Sequence, residues 1–251
     1  MELTFILIFL VALAGFIKGF VGFGLSLVLI TVLISSGIPT TKFLPILVPI
    51  FVILDIILYF ENRKNVKLDF KENFTLHYTT LMSLFFGIML GSYLLTVMDA
   101  SIIKLIFAII VLIVIFFLVE KVGDPEMTIP SERSNGFFGG ITGVLTGLFT
   151  LNAVPPSIYL LYHKYPKEKY MGALVTFLIF SDLILVAVYL MNGFFTLEGF
   201  MISLKLLGIV LVGFFVGIVL RRVFPSKYFK SVVILVLAIN SLKMIMDFFV
   251  G

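Results

Sequence analysis

Of the 251 residues, 61% are hydrophobic and only 13% are charged, with 29 Phe and no Cys. A soluble domain is about 45–50% apolar and about 25% charged, so this chain has too little polar side chain to cover itself in water. That excludes a soluble enzyme, a disordered protein and a nucleic-acid reader. The net charge of +4 comes from Lys and Arg set in short clusters between apolar runs, as in membrane loops. Without cysteine there is no disulfide, thiolate metal site or thiol redox chemistry. The opening run to Gly15 has the apolar stretch of a signal peptide without its positive leader, since only Glu2 precedes it. It therefore reads as a structural helix.

A spanning helix needs about 20 apolar residues. Taken in chain order, spans are predicted at 43–60, 75–98, 102–119, 171–191, 199–219 and 229–249. Two further apolar regions have the wrong length. Residues 3–36 are too long for one span and too short for two with a turn, and Lys18-Gly19-Phe20-Val21-Gly22-Phe23-Gly24 interrupts them. Residues 135–162 are broken at Phe149-Thr150-Leu151-Asn152-Ala153-Val154-Pro155-Pro156. About eight apolar residues follow that break, a rise of about 12 Å and less than half of a bilayer core. Each region is predicted to be a re-entrant helical hairpin, whose irregular backbone must be lined by protein or a wet cavity.

The chain repeats itself at an offset drifting from 128 to 126 residues. Gly15 and Gly19 correspond to Gly143 and Gly147, Pro39 and Lys42 to Pro166 and Lys169, and Asp55 to Asp182. Gly87 and Gly91 correspond to Gly213 and Gly217, and Lys104 to Lys230. Glycine pairs alone are common in membrane helices; the Asp and Lys pairs strengthen the repeat. The expected fold is an all-α polytopic membrane protein of two inverted repeats, each a hairpin plus three transmembrane helices. The first repeat is 1–119, a cytoplasmic linker is 120–134 with Asp124-Pro125-Glu126 and Ile129-Pro130, and the second repeat is 135–251. Loop charge agrees with inversion. With 61–74 placed in the cytoplasm, thirteen Lys and Arg fall inside and only Lys42 and Lys104 outside. Both termini are then expected outside.

Two hairpins entering from opposite faces are the plan of a secondary transporter with a midplane site. The second arm of each starts at the tip, where free amides and the helix dipole favour an anion. The expected substrate-binding residues are Lys18, Gly22, Phe23, Gly24, Ser26, Thr146, Thr150, Asn152 and Pro155. Ser26 and Asn152 are helix-start candidates, the tip glycines admit close backbone approach, and Pro suits a first helical turn. The competing reading has glycines serving only helix packing and Lys18 snorkelling to one face. Thr142, Thr146 and Thr150 either donate to oxyanion oxygens or bond back to their own helix.

Asp55 and Asp182 are the only acids well inside spans. They either carry a coupling proton or hold the neighbouring hairpin in place. Lys205 reads as an anion contact, a partner of Asp182 or a snorkelling cation. Lys243 and Asp247, four apart, are expected to pair locally. His77 and His163 are too far apart in sequence for a metal-ligand motif, and the sequon Asn73-Phe74-Thr75 falls on the cytoplasmic side. No cofactor, metal or catalytic group is expected. The Gly-xxx-Gly pairs fit packing within one chain or between copies of a homo-oligomer.

At these motifs the chain resembles the sulfite exporter family of the TauE/SafE type. The first match runs from Gly15 to Gly24 and on to Gly37-Ile38-Pro39. The second runs from Gly136 to Gly147, then through Pro155-Pro156-Ser157, Pro166-Lys167 and Gly172-Ala173. The family often has a run of glycines before its second Pro-Pro, where this chain has Thr150-Leu151-Asn152-Ala153-Val154. The resemblance implies movement of sulfite or an organosulfur anion such as a sulfonate across the prokaryotic cytoplasmic membrane. The expected activity is alternating-access transport of a small anion held between the two hairpin tips. An anion channel, or a carrier for a non-sulfur anion, is the alternative. The expected partners are that anion and membrane lipid, without nucleic acid.

Overall fold

The computed structural model describes residues 5–21, 25–63, 78–119, 132–162, 167–221, 223 and 227–250. Tip residues Gly22, Phe23 and Gly24 lie outside these. So do most of loop 61–74 with its sequon, His77, most of the linker and His163. The described chain forms α1 Phe5–Val21, α2 Leu25–Ser35, α3 Thr40–Arg63, α4 Tyr78–Val97, α5 Ala100–Val119, α6 Glu132–Phe149, α7 Val154–Tyr162, α8 Lys167–Met191, α9 Leu197–Arg221 and α10 Lys227–Val250. No strand occurs among the described residues.

Four helices are long and apolar enough to cross a membrane: Thr40–Asn62, Tyr78–Val97, Gly172–Met191 and Leu197–Arg221. They coincide with four of the expected spans. The other two expected spans are helical in α5 and α10, of 20 and 24 residues. Lengths of that order rise about 30 Å or more, the depth of a bilayer core. Large apolar side chains stand exposed on these helices, among them Phe86, Tyr93, Val212, Phe215 and Phe249. Such faces are stable against lipid and costly against water. The chain is a multi-pass membrane protein.

Backbone chemistry sets the helix ends. Gly37 and Gly193 stop α2 and α8 in the left-handed region, at φ of 76° and 68°, where glycine alone carries no Cβ penalty. Each donates to a carbonyl of the last turn, Gly37 to Ile34 at 3.0 Å and Gly193 to Leu190 at 3.1 Å. The amides of Ile38 and Phe194 reach one residue further back. Pro39 then precedes α3, consistent with its inability to continue the earlier helix.

The helices gather into two compact units. One comprises residues 1–46, 98–120 and 196–251; the other comprises 47–97 and 121–195. Each unit draws on both sequence halves, so the units do not follow the repeat boundaries. In the first unit α1 packs along α9, while α2 and α5 meet α10. In the second, α6 packs along α4, and α7 and α4 meet α8.

The two closest helix pairs share one device. A Cβ at Gly15 or Gly19 would run into the carbonyl oxygens of Val210 and Phe214; one at Gly213 or Gly217 would strike those of Ala12 and Phe16. In the other unit, Gly87 and Gly91 face the carbonyls of Gly140 and Val144, and Gly143 and Gly147 face those of Leu84 and Ile88. Glycine lets two backbones touch where side chains would hold them apart. The glycines matched by the repeat thus occupy equivalent places in the two interfaces. Both interfaces lie within one chain.

The Gly-xxx-Gly contacts make a sharp prediction. Gly143→Val meets Leu84 and Gly87 backbone and should unfold the α4–α6 pair, lowering the thermal midpoint in detergent by an overpacking cost of about 1–3 kcal/mol or more. At Gly140 an added Cβ meets nothing within 4 Å, so Gly140→Ala should leave the midpoint level or raise it. Fluorescence-detected size exclusion after heating separates the two.

Candidate functional site

The break between α6 and α7 is fully enclosed: every residue from 151 to 157 is buried, and Thr150 is 0% exposed. Helix α6 runs to Phe149 and stops without a glycine. Thr150 takes the left-handed conformation itself, at φ 51°. A β-branched residue rarely adopts that region, and strain of this kind costs about 1–3 kcal/mol unless its surroundings impose it. Its amide closes the helix on Thr146 at 2.7 Å, and Leu151 donates to Leu145 at 3.4 Å.

On the other side, Ala153 begins α7. Its carbonyl accepts the first helical bond, from the Ser157 amide at 3.0 Å, and also the Ser157 hydroxyl at 2.7 Å. Ala153 therefore holds the capping position expected of Asn152, whose side chain turns away. Asn152 donates through Nδ2 to Oδ1 of Asp182 at 2.6 Å. Pro155 and Pro156 fill the first turn, which needs no amide ladder. Neither proline has an amide hydrogen to offer an anion. The backbone amides between the two ladders belong to Asn152, Ala153 and Val154.

One helix holds both edges of the break. Asp182 lies near the middle of the apolar window Gly172–Met191 of α8 and is 0% exposed. Seven residues on, two turns along the same face, Tyr189 donates its hydroxyl to the Gly147 carbonyl of α6 at 3.3 Å. That carbonyl belongs to the last turn of α6, where helical partners run out. The Tyr189 ring is fully buried and packs edge-on against Phe194, with centroids 5.1 Å apart. Sequence reasoning passed over Tyr189. Its signal was available: a phenol two helical turns from an intramembrane acid, in a run otherwise apolar.

The three threonines separate. Thr142 donates to Phe138 and Thr146 to Thr142, each at 2.8 Å along its own helix. Their protons are spent, and the donor role expected of Thr146 does not fit this geometry. Thr150 differs: its hydroxyl is buried and has no hydrogen-bond partner among the described residues. Buried hydroxyls are ordinarily paired; among the described residues the Ser92 hydroxyl is another without a partner. Thr146, Thr150, Asn152 and Pro155 gather in one unit with Asp182, which also contains the buried Asp55 of α3.

In the other unit, Lys18 is 5% exposed in the last turn of α1, where a cation offsets the negative helix end. Ser26 is buried in the first turn of α2. Asp247 departs from expectation. It pairs with Lys104 at 2.6 Å rather than with Lys243, because α5 packs directly on α10. Lys243 instead donates to the Ser35 carbonyl at the end of α2, at 3.4 Å. Lys205 is exposed on α9.

Strain at Thr150 predicts an inverted order of substitutions. Thr150→Gly and Thr150→Val both lose the hydroxyl, and only glycine fits the left-handed backbone. The Gly variant should be more stable than the Val variant by about 1 kcal/mol, the reverse of an ordinary buried position. Thermal midpoints of the two purified variants give the answer.

A family model, Sulfite exporter TauE/SafE, matches residues 7–244 of the chain. No curated protein matches, and no solved structure does.

Proposed function

The chain belongs to the TauE/SafE family of sulfite exporters, and we propose that it is a secondary carrier for a small sulfur oxyanion, sulfite or a sulfonate, whose binding surface includes the α6–α7 break. The observation that carries this reading is the 2.6 Å bond from Asn152 to Asp182. It ties an interrupted helix to the middle of an apolar span, which is the depth a re-entrant hairpin reaches. Irregular backbone is tolerated there only beside protein or a wet cavity. A purely structural element gains nothing from interrupting its own ladder at that depth.

The donor set suits an oxyanion. Three amides, the Thr150 hydroxyl and the positive end of α7 offer hydrogen bonds and partial positive charge without a metal. Neutral donors in a low-dielectric setting hold an anion without trapping it as a full counter-charge would. Lys18 supplies the full charge for the first hairpin, and Ser26 the matching hydroxyl near the start of α2. Thr142 and Thr146 hold the shape of α6 through their own backbone bonds.

In this reading the two hairpins are inverted relatives. Support comes from the equivalent glycine interfaces and from the loop charges, which place thirteen cations on one side only when the halves are inverted. Alternating access then moves one helix set against the other about the bound anion. The orientation puts both termini outside the cytoplasmic membrane.

Radiolabelled sulfite flux into proteoliposomes tests the assignment. The expected result is saturable flux accelerated by sulfite on the opposite side, which a channel does not show. Lys18→Ala should raise the half-saturating concentration by roughly tenfold, the equivalent of about 1.4 kcal/mol, at an unchanged level of folded protein. An equal loss of folded protein and flux would assign Lys18 to folding instead.

A further inference from the structure

We propose that Asp182 binds a transported proton and reports its charge to the anion through the side-chain amide of Asn152. The inference rests on the carrier reading of the α6–α7 break and names its coupling ion. It starts from bond polarity. A carboxylate only accepts, so Asn152 can meet an ionised Asp182 only with its NH2 group, the orientation seen at 2.6 Å. Asn152 then spends one N–H on Asp182, and its other neighbours meet the second N–H and the carbonyl oxygen rather than the whole NH2 group. An acceptor oxygen in a cluster of donors opposes an oxyanion.

Protonation reverses this. Asp182 takes one proton from water and becomes a donor through its O–H. Asn152 can then accept that bond through Oδ1 and turn its NH2 toward the anion. The two orientations of a carboxamide are nearly isosteric, so the turn needs no repacking of the buried residues around it. Charge acts in the same direction. An ionised Asp182 reaches the break beside the positive end of α7, and two anions there oppose each other. Proton uptake and anion binding therefore favour one another, and linkage makes the effect reciprocal.

The surroundings leave this role to Asp182. Helices α4, α6 and α7 pack against α8. Among described residues, α4 carries the exposed Tyr78 and Tyr93, and α7 carries Tyr159, stacked on Phe138 at 5.3 Å. Helix α6 has Glu132 and Arg133 in its first turn, nearly five turns from the break. On α8 itself, Tyr189 is engaged with Gly147, while Lys167, Glu168, Lys169 and Tyr170 lie at the far end. Asp55, Tyr59 and Glu61 belong to α3 of the same unit. Asp182 is the carboxyl bonded to the break.

Two measurements on the full-length protein in liposomes test the proposal. The first is counterflow of ethanesulfonate, a strong acid's anion whose own charge is fixed between pH 5.5 and pH 8, a range of about neutral conditions. Wild type should show a half-saturating concentration that rises about tenfold per pH unit above the Asp182 midpoint. Asp182→Asn mimics the protonated acid, and should bind at high pH as wild type does at low pH, with no pH dependence. Saturable wild-type counterflow that is flat with pH would overturn the proposal.

The second is infrared titration of the ligand-free protein. A protonated-carboxyl band should titrate in wild type and vanish in Asp182→Asn. In Asn152→Ala its midpoint should shift, because Asn152 bonds the two protonation states with opposite polarity. An unmoved midpoint would overturn the switch. Where Asn152→Ala does not fold, the nearly isosteric Asp182→Asn still decides it, through a side-chain amide band that shifts with pH in wild type and stays fixed in the variant. If wild type moves neither ethanesulfonate nor sulfite, the carrier reading fails, while the infrared result still judges the proton switch by itself.

Discussion

Inside a bilayer, a broken helix must find partners for the carbonyls and amides it uncovers, and most of this structure around residues 147–157 answers that demand. Each uncovered polar group costs several kcal/mol if left bare in hydrocarbon. The answer is uneven. The Gly147 carbonyl takes the Tyr189 hydroxyl. The Ala153 carbonyl takes both the amide and hydroxyl of Ser157. Pro155 and Pro156 eliminate two donors altogether. What remains outside this accounting is a compact group of donors: the Thr150 hydroxyl and the amides of Asn152, Ala153 and Val154. Two carbonyls of the break, those of Gly147 and Ala153, are thus satisfied from within.

Both edges of the break are held by α8. Asp182 and Tyr189 stand two turns apart on a single face, one reaching the α7 side of the break and the other the α6 side. Between their two contacts lies Thr150, in a left-handed backbone that the residue would not choose alone. The glycine contacts serve the same end at longer range. By bringing α4 against α6 at backbone distance, Gly87, Gly91, Gly143 and Gly147 fix where α6 ends. The corresponding glycines fix α1 on α9. Packing, strain and donor placement are thus linked: a bulkier residue at Gly147 would disturb the helix pair and the carbonyl that Tyr189 holds.

Much of this was legible in the sequence because membrane solvation leaves few choices. Apolar runs of about 20 residues located the spans, and the broken stretch at 149–156 was visible from its Pro-Pro and polar residues. The glycine offsets identified which positions would do equivalent work. Two things were hidden. Which helix pairs with which depends on tertiary contact, so Lys243 seemed the natural partner of Asp247 until α5 brought Lys104 to it. Hydrogen-bond direction was also invisible: four polar residues on one side of a hairpin look alike in sequence, yet Thr142 and Thr146 bond to their own helix while Thr150 does not. Nor could composition show that the residue ending α6 would be a strained threonine, where α2 and α8 end in glycine.

The end of α1 and the α6–α7 break differ in chemistry, and in the proposed carrier reading this bears on how substrate would be recognised. At the first, a buried lysine offsets the C-terminal pole of α1, giving a fixed positive charge that does not depend on local geometry. At the second, no cation is present in the break, and an anion would meet only oriented dipoles and a hydroxyl. Dipoles reward shape, since their strength falls quickly with misalignment, whereas a point charge on a flexible stem rewards any anion. In the proposed carrier reading, the lysine attracts any anion, while the oriented dipoles of the α6–α7 break discriminate by geometry. The departure from the family's glycine run, at Thr150 to Val154, falls on the discriminating side. Substrate identity within the family should therefore follow the residues of this break more closely than the lysine opposite it in sequence.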